Sequence, residues 1–325
     1  MKAWVVEGKG APEDVISPTE RDIPEPGPGE ALLKVAAAGL GLPDVLMCRG
    51  KYAMSPPQPF VPGQEVAGEV IAVGENCAYT VGDRVMGVTA FYQGHGSFAE
   101  YCIAPDFSLY PLAEGMDDLQ AAGFTIPYHT AWVGLVERGG LAAGEVLLVH
   151  GAAGGSGAAA IRLGKALGAT VIATASSQGK IDYAAAQGAD HCINYADTDF
   201  VEAVNALTGG AGADVVYDPV GGETFERSLD CIASGGRLLA IGYASGRWGV
   251  ADGRTLVARN ASSIGVYVGA YGHEQMQVFH AALVDLVASG RLDPAPETVI
   301  GFDELGESLT RLAERRILGK VVMAP

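Results

Sequence analysis

The segment from Glu145 to Tyr195 constrains the fold of this chain more than any other. It begins with a short apolar run, Val146 to Val149, and continues through a glycine-rich turn into an Ala- and Leu-rich helical pattern from Gly157 to Leu167. A second apolar run follows from Thr170 to Ala175. Strand, tight turn, helix and strand in this order are typical of the unit that binds the pyrophosphate of a dinucleotide.

The turn itself reads A-A-G-G-S-G from Ala152 to Gly157, against the usual pattern G-x-G-x-x-G. A pyrophosphate has to lie against backbone N–H groups at the start of a helix, where the helix dipole is positive. Side chains would block that approach, which explains Gly154, Gly155 and Gly157. In a chain with 46 glycines, the alternative is a turn that is glycine-rich only because it packs tightly. The flanking strands and helix favour the dinucleotide site.

Composition bounds the class of protein. The chain has 325 residues, of which 49% are hydrophobic and 18% charged, which is typical of a folded protein long enough for two domains. Its net charge of −17 argues against partners such as nucleic acid or an anionic membrane surface. The N-terminus lacks the apolar core of a signal peptide, and no run of about 18 apolar residues indicates a membrane span. Five scattered cysteines without a C-x-x-C pair disfavour a zinc cluster or a disulfide framework, so we expect a cytoplasmic location.

The two halves of the chain differ in pattern. The first ~120 residues contain short β-like runs separated by Pro and Gly clusters, which predicts a compact, mostly β domain. The span Gln120 to Arg138 has a helical pattern that Pro127 is expected to interrupt. Apolar runs and helical patterns then alternate, with one of the helices predicted over Phe225–Ile232, and this alternation predicts a doubly wound parallel sheet. After an amphipathic helix from Glu274 to Ser289 the chain is expected to rejoin the first domain. The predicted domains are therefore 1–122 with 272–325, and 123–271.

Several motifs together resemble one family. They are GLPDVLMCRGKY, PFVPGQEVAGEVIAVG, VGDRVMG, GSFAEY, HGAAGGSG, VVYDPVGG, GRLLAIGYASG and GKVVMAP. The chain is similar along its whole length to the zinc-independent medium-chain dehydrogenase/reductases of the quinone oxidoreductase, or zeta-crystallin-like, kind. The resemblance implies an α/β fold class, with a GroES-like catalytic domain and a Rossmann domain. It also implies a cleft between the domains and a homodimer.

The residues can be tested directly for a metal site. Zinc-dependent relatives bind catalytic zinc through the His of a G-H-E motif, where this chain has Gly63-Gln64-Glu65. Glutamine is a poor zinc ligand. The four-cysteine structural zinc lobe of those relatives is also missing from the sequence. We therefore expect no metal, and without a metal Lewis acid the reduction of a quinone or an activated alkene is a better expectation than alcohol oxidation.

The residues after the second apolar run bear on the cofactor. NAD enzymes usually have an Asp or Glu at that point to hold the ribose hydroxyls. This chain has A-S-S-Q-G-K from Ala175 to Lys180, so no carboxylate would repel a 2′-phosphate. Ser176 can donate a hydrogen bond and Lys180 can supply positive charge, and the resemblance adds Tyr195. We expect NADPH; the alternatives are a solvated Lys180 and a Tyr195 that only packs.

Further cofactor contacts follow from the same resemblance. Thr130 is expected near the nicotinamide or its ribose, and Arg315 near the adenine-ribose phosphate, unless Arg315 is a surface residue. The remaining expected cofactor-binding positions are Ala153, Gly154, Gly155, Ser156, Gly157, Val220, Gly242, Tyr243, Val266 and Val268.

The expected catalytic residues are Tyr52 and Asp44. Tyr52 matches a substrate-pocket tyrosine of the family and could donate to a carbonyl oxygen, or it could be a packed aromatic. Asp44 also matches, although its L-P-D context favours a structural turn. Gly41 and Leu46 replace a pocket Asn and Tyr of relatives, which implies a roomier, less polar cavity. His95, between two glycines, is a further polar candidate for which a surface-loop role is favoured.

These observations lead to one functional hypothesis and two rivals. The hypothesis is a zinc-free enzyme that transfers hydride from NADPH to a quinone or to the β-carbon of an enone, that is, to a small-molecule acceptor. One rival is an enoyl-thioester reductase of the acryloyl-CoA type, although the net charge disfavours a basic channel for CoA phosphates. The other rival is a non-catalytic, structural or RNA-binding protein of the zeta-crystallin kind, against which the intact glycine turn argues.

Overall fold

The computed structural model describes residues 1–325. The strands, numbered along the chain, are β1 (Lys2–Val6), β2 (Ile16–Glu20), β3 (Glu30–Gly39), β4 (Glu65–Val73), β5 (Arg84–Val88), β6 (Tyr101–Pro105), β7 (Leu109–Pro111), β8 (Val146–Val149), β9 (Thr170–Ala175), β10 (His191–Asn194), β11 (Ala213–Asp218), β12 (Ile232–Ala240), β13 (Ser262–Gly265), β14 (Thr298–Gly301) and β15 (Val321–Ala324).

Eleven α-helices accompany these strands. They are α1 (Pro12–Val15), α2 (Leu42–Cys48), α3 (Asp118–Ala122), α4 (Thr125–Trp132), α5 (Gly155–Ala166), α6 (Gln178–Ala186), α7 (Phe200–Leu207), α8 (Gly222–Ser228), α9 (Gly253–Arg259), α10 (His273–Ala288) and α11 (Leu305–Ala313). A π-helical segment, Val133–Arg138, directly follows α4. None of the helices is both long enough and apolar enough to span a membrane.

The chain divides into two compact units. Unit 1 comprises Met1–Ile126 and Pro294–Pro325, and unit 2 comprises Pro127–Asp293. The sequence pattern predicts that the chain leaves the second domain at residue 272. In the structure α10 belongs to unit 2, because its buried face, with Met276, Phe279 and Leu283, packs there.

Unit 1 is built on a mostly antiparallel sheet. Its strands run in the order β14-β15-β3-β4-β5-β7, with β6 pairing on β3, and β1 and β2 form a separate antiparallel pair. Strands β3 and β4 are buried along most of their length, and their apolar side chains pack in a core that includes Leu33, Met47, Phe60 and Phe98. The last strand, β15, pairs in parallel with β14 and antiparallel with β3, so the end of the chain completes this sheet.

Unit 2 is a six-stranded parallel sheet in the order β10-β9-β8-β11-β12-β13. The order reverses between β8 and β11, so the chain is wound in both directions from the centre of the sheet, as in a Rossmann fold. Its central strands are almost wholly buried, since parallel strands are covered on both faces. This arrangement brings the carboxyl ends of β8, β9, β11 and β12 to one edge.

Two local predictions need correction. The helical span predicted from Gln120 to Arg138 is interrupted, but at Gly123 and Phe124, before Pro127. Pro127 itself lies in the first turn of α4, where the missing N–H is tolerated. The helix expected over Phe225–Ile232 begins earlier, at Gly222, and ends at Ser228. A 3₁₀ turn then leads to Ile232, which starts β12 and is fully buried.

Candidate functional site

The glycine turn of unit 2 joins β8 to α5. Gly151, directly after the strand, has a φ of +58°, a left-handed conformation that favours glycine. A Cβ on Gly157 would lie 2.4 Å from the carbonyl oxygen of Gly151, so only glycine allows the helix to begin this close to the turn. The set that shapes the turn is therefore Gly151, Gly154 and Gly157, spaced by three residues. The sequence pattern that starts at Ala152 missed Gly151, although its position right after an apolar strand was a usable signal.

The start of α5 provides free backbone donors. Gly154 is the N-cap residue, and no side chain caps the helix. The first N–H groups of an α-helix have no intrahelical acceptor, and the dipole makes this end positive. The predicted cofactor-binding positions Ala153 to Gly157 lie here, with Gly154 exposed. The geometry suits a phosphate group, since an anion can approach Gly154 without meeting a side chain.

The residues predicted to read a 2′-phosphate lie together at the neighbouring strand ends. The amino group of Lys180, in the first turn of α6, donates to the hydroxyl of Ser176 at 3.4 Å. The backbone N–H of Tyr195 donates to the carbonyl of Ala175 at 3.0 Å, because β9 and β10 run parallel and in register. Ser176, Lys180 and Tyr195 therefore follow the carboxyl ends of these two neighbouring strands, and no carboxylate occurs from Ser176 to Lys180.

A cavity of about 200 Å³ opens beside Tyr195. It is lined by His150, Tyr195, Thr198, Asp199, Phe200, Glu223, Thr224 and Arg227. The guanidinium of Arg227 lies 5.1 Å from the centre of the Phe200 ring. The cavity thus combines aromatic faces with polar groups, a lining suited to a flat heteroaromatic ring.

His150, one of the residues that line this cavity, is buried and neutral. Burial lowers the pKa of His150 to about 3. The Ser228 hydroxyl donates to the carbonyl of Thr224 at 2.7 Å, so it accepts from His150 Nε2 at 2.9 Å. His150 Nδ1 then accepts from the hydroxyl of Thr174 at 2.8 Å. The imidazole is therefore held as the Nε2–H tautomer between β9 and α8.

Several of the other expected cofactor-binding residues meet at the ends of β11, β12 and β13. The carboxylate of Asp218 accepts from the backbone N–H of Val220 at 2.7 Å, and burial raises the pKa of Asp218 to about 6. A Cβ on Gly151 would lie 3.2 Å from Val220, so Val220 borders the glycine turn. The backbone N–H of Gly242 donates to the carbonyl of Asp218, and that of Val266 to the carbonyl of Ala240. These contacts bring the glycine turn, Val220, Gly242 and Val266 to one edge of the sheet.

The remaining cofactor predictions lie on other elements. Thr130 is half-buried on α4, and Val268 begins a 3₁₀ turn after β13. The Tyr243 ring lies 4.7 Å from that of Trp248. Arg315 follows α11 in unit 1 with a φ of +60°. Their contacts with a cofactor stay predictions.

In unit 1, Asp44 is a buried carboxylate held by the backbone. Its two oxygens accept from the N–H groups of Gly41 at 2.9 Å and Gly63 at 3.2 Å. Asp44 is 1% exposed, and burial raises its pKa to about 7. Nearby, Lys320 forms an ion pair with Glu65 and donates to the carbonyl of Leu40 at 2.9 Å. Asp44 thereby ties the start of α2 to the loop before β4.

The other polar candidates of unit 1 differ in burial. The Tyr52 ring is half-buried and 6.2 Å from that of Phe91. Gln64 is 5% exposed, and its amide nitrogen lies 3.8 Å from the Met47 sulfur. His95 is half-buried in the loop after β5, where burial lowers its pKa. No group of three or more His, Cys, Asp or Glu side chains is placed to hold a metal ion. These residues do not fit a catalytic zinc ion.

Comparison with known proteins identifies the family to which this fold belongs. A family model described as "Zinc-binding dehydrogenase" matches residues 155–288, and one described as "Alcohol dehydrogenase GroES-like domain" matches residues 27–114. The chain is 34% identical over 303 residues to the quinone oxidoreductase-like protein 2 homolog of Nematostella vectensis, over 91% of this chain and 82% of that protein.

Solved structures agree with these matches. A mycobacterial protein complexed with NADPH superposes with a TM-score of 0.91 at 31% identity, covering 100% of both chains. A quinone oxidoreductase of Pseudomonas syringae superposes with a TM-score of 0.89 at 31% identity, covering 100% of this chain and 99% of that one. The chain belongs to the medium-chain dehydrogenase/reductase family, in its quinone oxidoreductase branch. The expected family and fold class are confirmed, and the chain is an oxidoreductase.

Proposed function

We propose that the chain is an NADPH-dependent reductase that acts on quinones or enones without zinc. The observation that carries this proposal is the arrangement in unit 2, where an uncapped helix start and a side-chain-free turn lie on the same sheet edge as Ser176 and Lys180. The helix start and the turn suit a pyrophosphate, and Ser176 with Lys180 suits a 2′-phosphate. The family neighbour that was solved with NADPH supports the same cofactor.

When bound, NADPH supplies a hydride to the acceptor. The residues of unit 2 would hold it as follows. The N–H groups at the start of α5 would bind the pyrophosphate, and Lys180 with Ser176 would bind the 2′-phosphate. Tyr195 borders a cavity of about 200 Å³, which would receive the adenine. Val220 and Gly242 would contact the nicotinamide half of the cofactor.

Two residues of unit 1 would act on the acceptor. Tyr52 would donate its hydroxyl to the oxygen of the quinone or enone, so that negative charge developing there is stabilised. Asp44 would act as a positioning residue, because both of its oxygens already accept from backbone N–H groups. Hydride transfer depends mainly on positioning and on the exclusion of water, so few other groups are required.

A cofactor and substrate panel tests this proposal. NADPH oxidation is followed at 340 nm with benzoquinone, a naphthoquinone, short enones and crotonyl-CoA, beside a parallel series with NADH. Turnover of quinones or enones with NADPH is expected, and Tyr52→Phe should lower kcat for the enone roughly tenfold with little change in the Kd of NADPH. Turnover of the CoA ester alone would assign an enoyl-thioester reductase instead. Failure to bind NADPH would refute the proposal.

We also propose that the protein forms a homodimer. Strand β13 pairs with β12 and is one of the two edge strands of the parallel sheet, the other being β10. Side chains around it are apolar and exposed, namely Trp248, Val250, Val257 and Tyr267. An open strand edge beside such a surface suits pairing with a second copy.

For its location we propose the cytoplasm. All five cysteines are free thiols, as expected in a reducing compartment.

A further inference from the structure

A buried hydroxyl pair connects the glycine turn to the centre of the parallel sheet. The hydroxyl of Tyr217, on β11, lies 2.9 Å from the hydroxyl of Ser156, the second residue of α5. Tyr217 is completely buried, whereas Ser156 is half-buried at the mouth of the turn. The two residues are 61 positions apart, so the contact exists only because β8 and β11 are neighbours in the sheet.

The environment of Tyr217 fixes where its hydroxyl points. Its backbone is held on both sides, by pairing with Val149 of β8 and with Leu239 of β12. Its ring packs against the π-helical segment: a Cβ on Gly134 would lie 3.2 Å from the ring and 3.2 Å from Ile241. The phenol is thus clamped between the sheet and a glycine, and its oxygen has a fixed place beside Ser156.

The direction of the hydrogen bond follows from burial and charge. Burial raises the pKa of Tyr217, so the phenol keeps its proton. A buried hydroxyl proton without an acceptor costs free energy, whereas the half-buried Ser156 can direct its own proton to solvent or a ligand. If Ser156 instead donated to Tyr217, its lone pairs would face the anion expected at the helix start.

We propose that Tyr217 is a positioning residue that donates to Ser156 and thereby turns the Ser156 proton toward the pyrophosphate of the cofactor. Ser156 would then add a side-chain hydrogen bond to those of the helix-start N–H groups. This inference rests on the proposed dinucleotide site, but it concerns the pyrophosphate and not the 2′-phosphate. NADH and NADPH share the pyrophosphate, so the effect applies equally to both.

Binding of the cofactor to variants of the full chain tests the pair. Dissociation constants are measured by fluorescence titration for Ser156→Ala, Tyr217→Phe and the double variant. Ser156→Ala should raise the Kd of NADPH roughly tenfold, and Tyr217→Phe roughly three- to fivefold. In the Ser156→Ala background, Tyr217→Phe should have no further effect, since its role is exerted through Ser156.

Two controls separate this role from general destabilisation. Tyr79→Phe removes another tyrosine hydrogen bond, from its hydroxyl to the carbonyl of Leu109 at 2.8 Å, and should leave the Kd unchanged. Binding of adenosine 2′-monophosphate, which lacks the pyrophosphate, should be unaffected by Ser156→Ala and weakened by Lys180→Ala. The same factors are expected with NADH, which keeps the test valid if the chain prefers NADH.

Three results would overturn the inference. An unchanged Kd in Ser156→Ala would show that the Ser156 hydroxyl does not contact the pyrophosphate. Because Ser156 is only half-buried, this Kd can be measured even if Tyr217→Phe folds poorly. An equal loss from Tyr217→Phe with and without Ser156 would show a purely structural effect. A loss of adenosine 2′-monophosphate binding in Ser156→Ala would place the serine elsewhere in the site.

Discussion

Replacement of Lys180 by alanine should remove most of the preference for NADPH over NADH. Lys180 lies in the first turn of α6, half-buried, with its amino group 3.4 Å from the hydroxyl of Ser176. A 2′-phosphate that contacts both groups would lie about 3–4 Å from the ammonium. NADH has no charge at this position, so the substitution acts on one cofactor and not on the other.

The magnitude can be bounded from this geometry. Two unit charges 4 Å apart interact by about 1 kcal/mol in water and about 4 kcal/mol near a protein surface. Because Lys180 is partly exposed, solvent screening places the value toward the lower end, at about 2 kcal/mol. That corresponds to a rise of roughly 30-fold in the Kd of NADPH. The Kd of NADH should change by less than about twofold.

The assay is a fluorescence titration with both cofactors at low and high salt. The advantage of NADPH should shrink at high ionic strength in the wild type and show little salt dependence in Lys180→Ala. Lys165→Ala is the matched control, because Lys165 is also a lysine of unit 2 but forms its ion pair with Asp190 at 2.7 Å. Equal losses for NADPH and NADH in Lys180→Ala would refute the assignment of Lys180 to the 2′-phosphate.

Three further predictions concern the turn, a buried histidine and the sheet edge. Gly157→Ala should abolish binding of both cofactors in the same titration, since its Cβ would meet the Gly151 carbonyl oxygen at 2.4 Å; retained affinity would contradict the close approach. The pKa of His150 is about 3 in the folded state and 6.5 in the unfolded state, so protonation of His150 favours unfolding. Its contribution to stability is complete above pH 6.5 and is lost as the pH falls toward 3. From pH 7 to 5 the titration of His150 should lower the free energy of unfolding by about 2 kcal/mol. In urea unfolding, His150→Asn should therefore lose less free energy of unfolding over this pH range than the wild type, and equal losses would contradict the prediction. Val257→Glu should produce monomers in light scattering, because Val257 is 83% exposed beside the open strand, and an unchanged dimer would place the interface elsewhere.

Much of unit 2 could be predicted from local pattern. The apolar runs before and after the glycine turn correspond to β8 and β9 as observed, because short buried strands and a tight βα turn are encoded by neighbouring residues. The helix ends were less accurate: α5 begins at Gly155 instead of Gly157, since glycines that shape the turn also form its first helical residues. Gly151 was missed because its left-handed conformation is not visible in a motif.

Unit 1 was harder to predict at its polar residues. Asp44 stands in a turn-like context, and the sequence offered both a catalytic and a structural interpretation. The structure shows its two oxygens engaged by Gly41 and by Gly63, the second of which is distant in sequence. Such a bridge depends on the packing of α2 against a separate loop. No periodicity or motif in the sequence indicates this bridge.

The sequence by itself determined the class of site: a glycine turn between strand and helix, and no carboxylate after the next strand. These features are local, because a phosphate-binding turn requires the absence of side chains at fixed spacing. Only the tertiary structure decided which residues lie near one another at that edge of the sheet. It brought Ser176, Lys180 and Tyr195 to adjacent strand ends and set Tyr217 against Ser156. Strand order in the parallel sheet creates those contacts, and strand order is fixed by packing of the whole unit, not by any one segment.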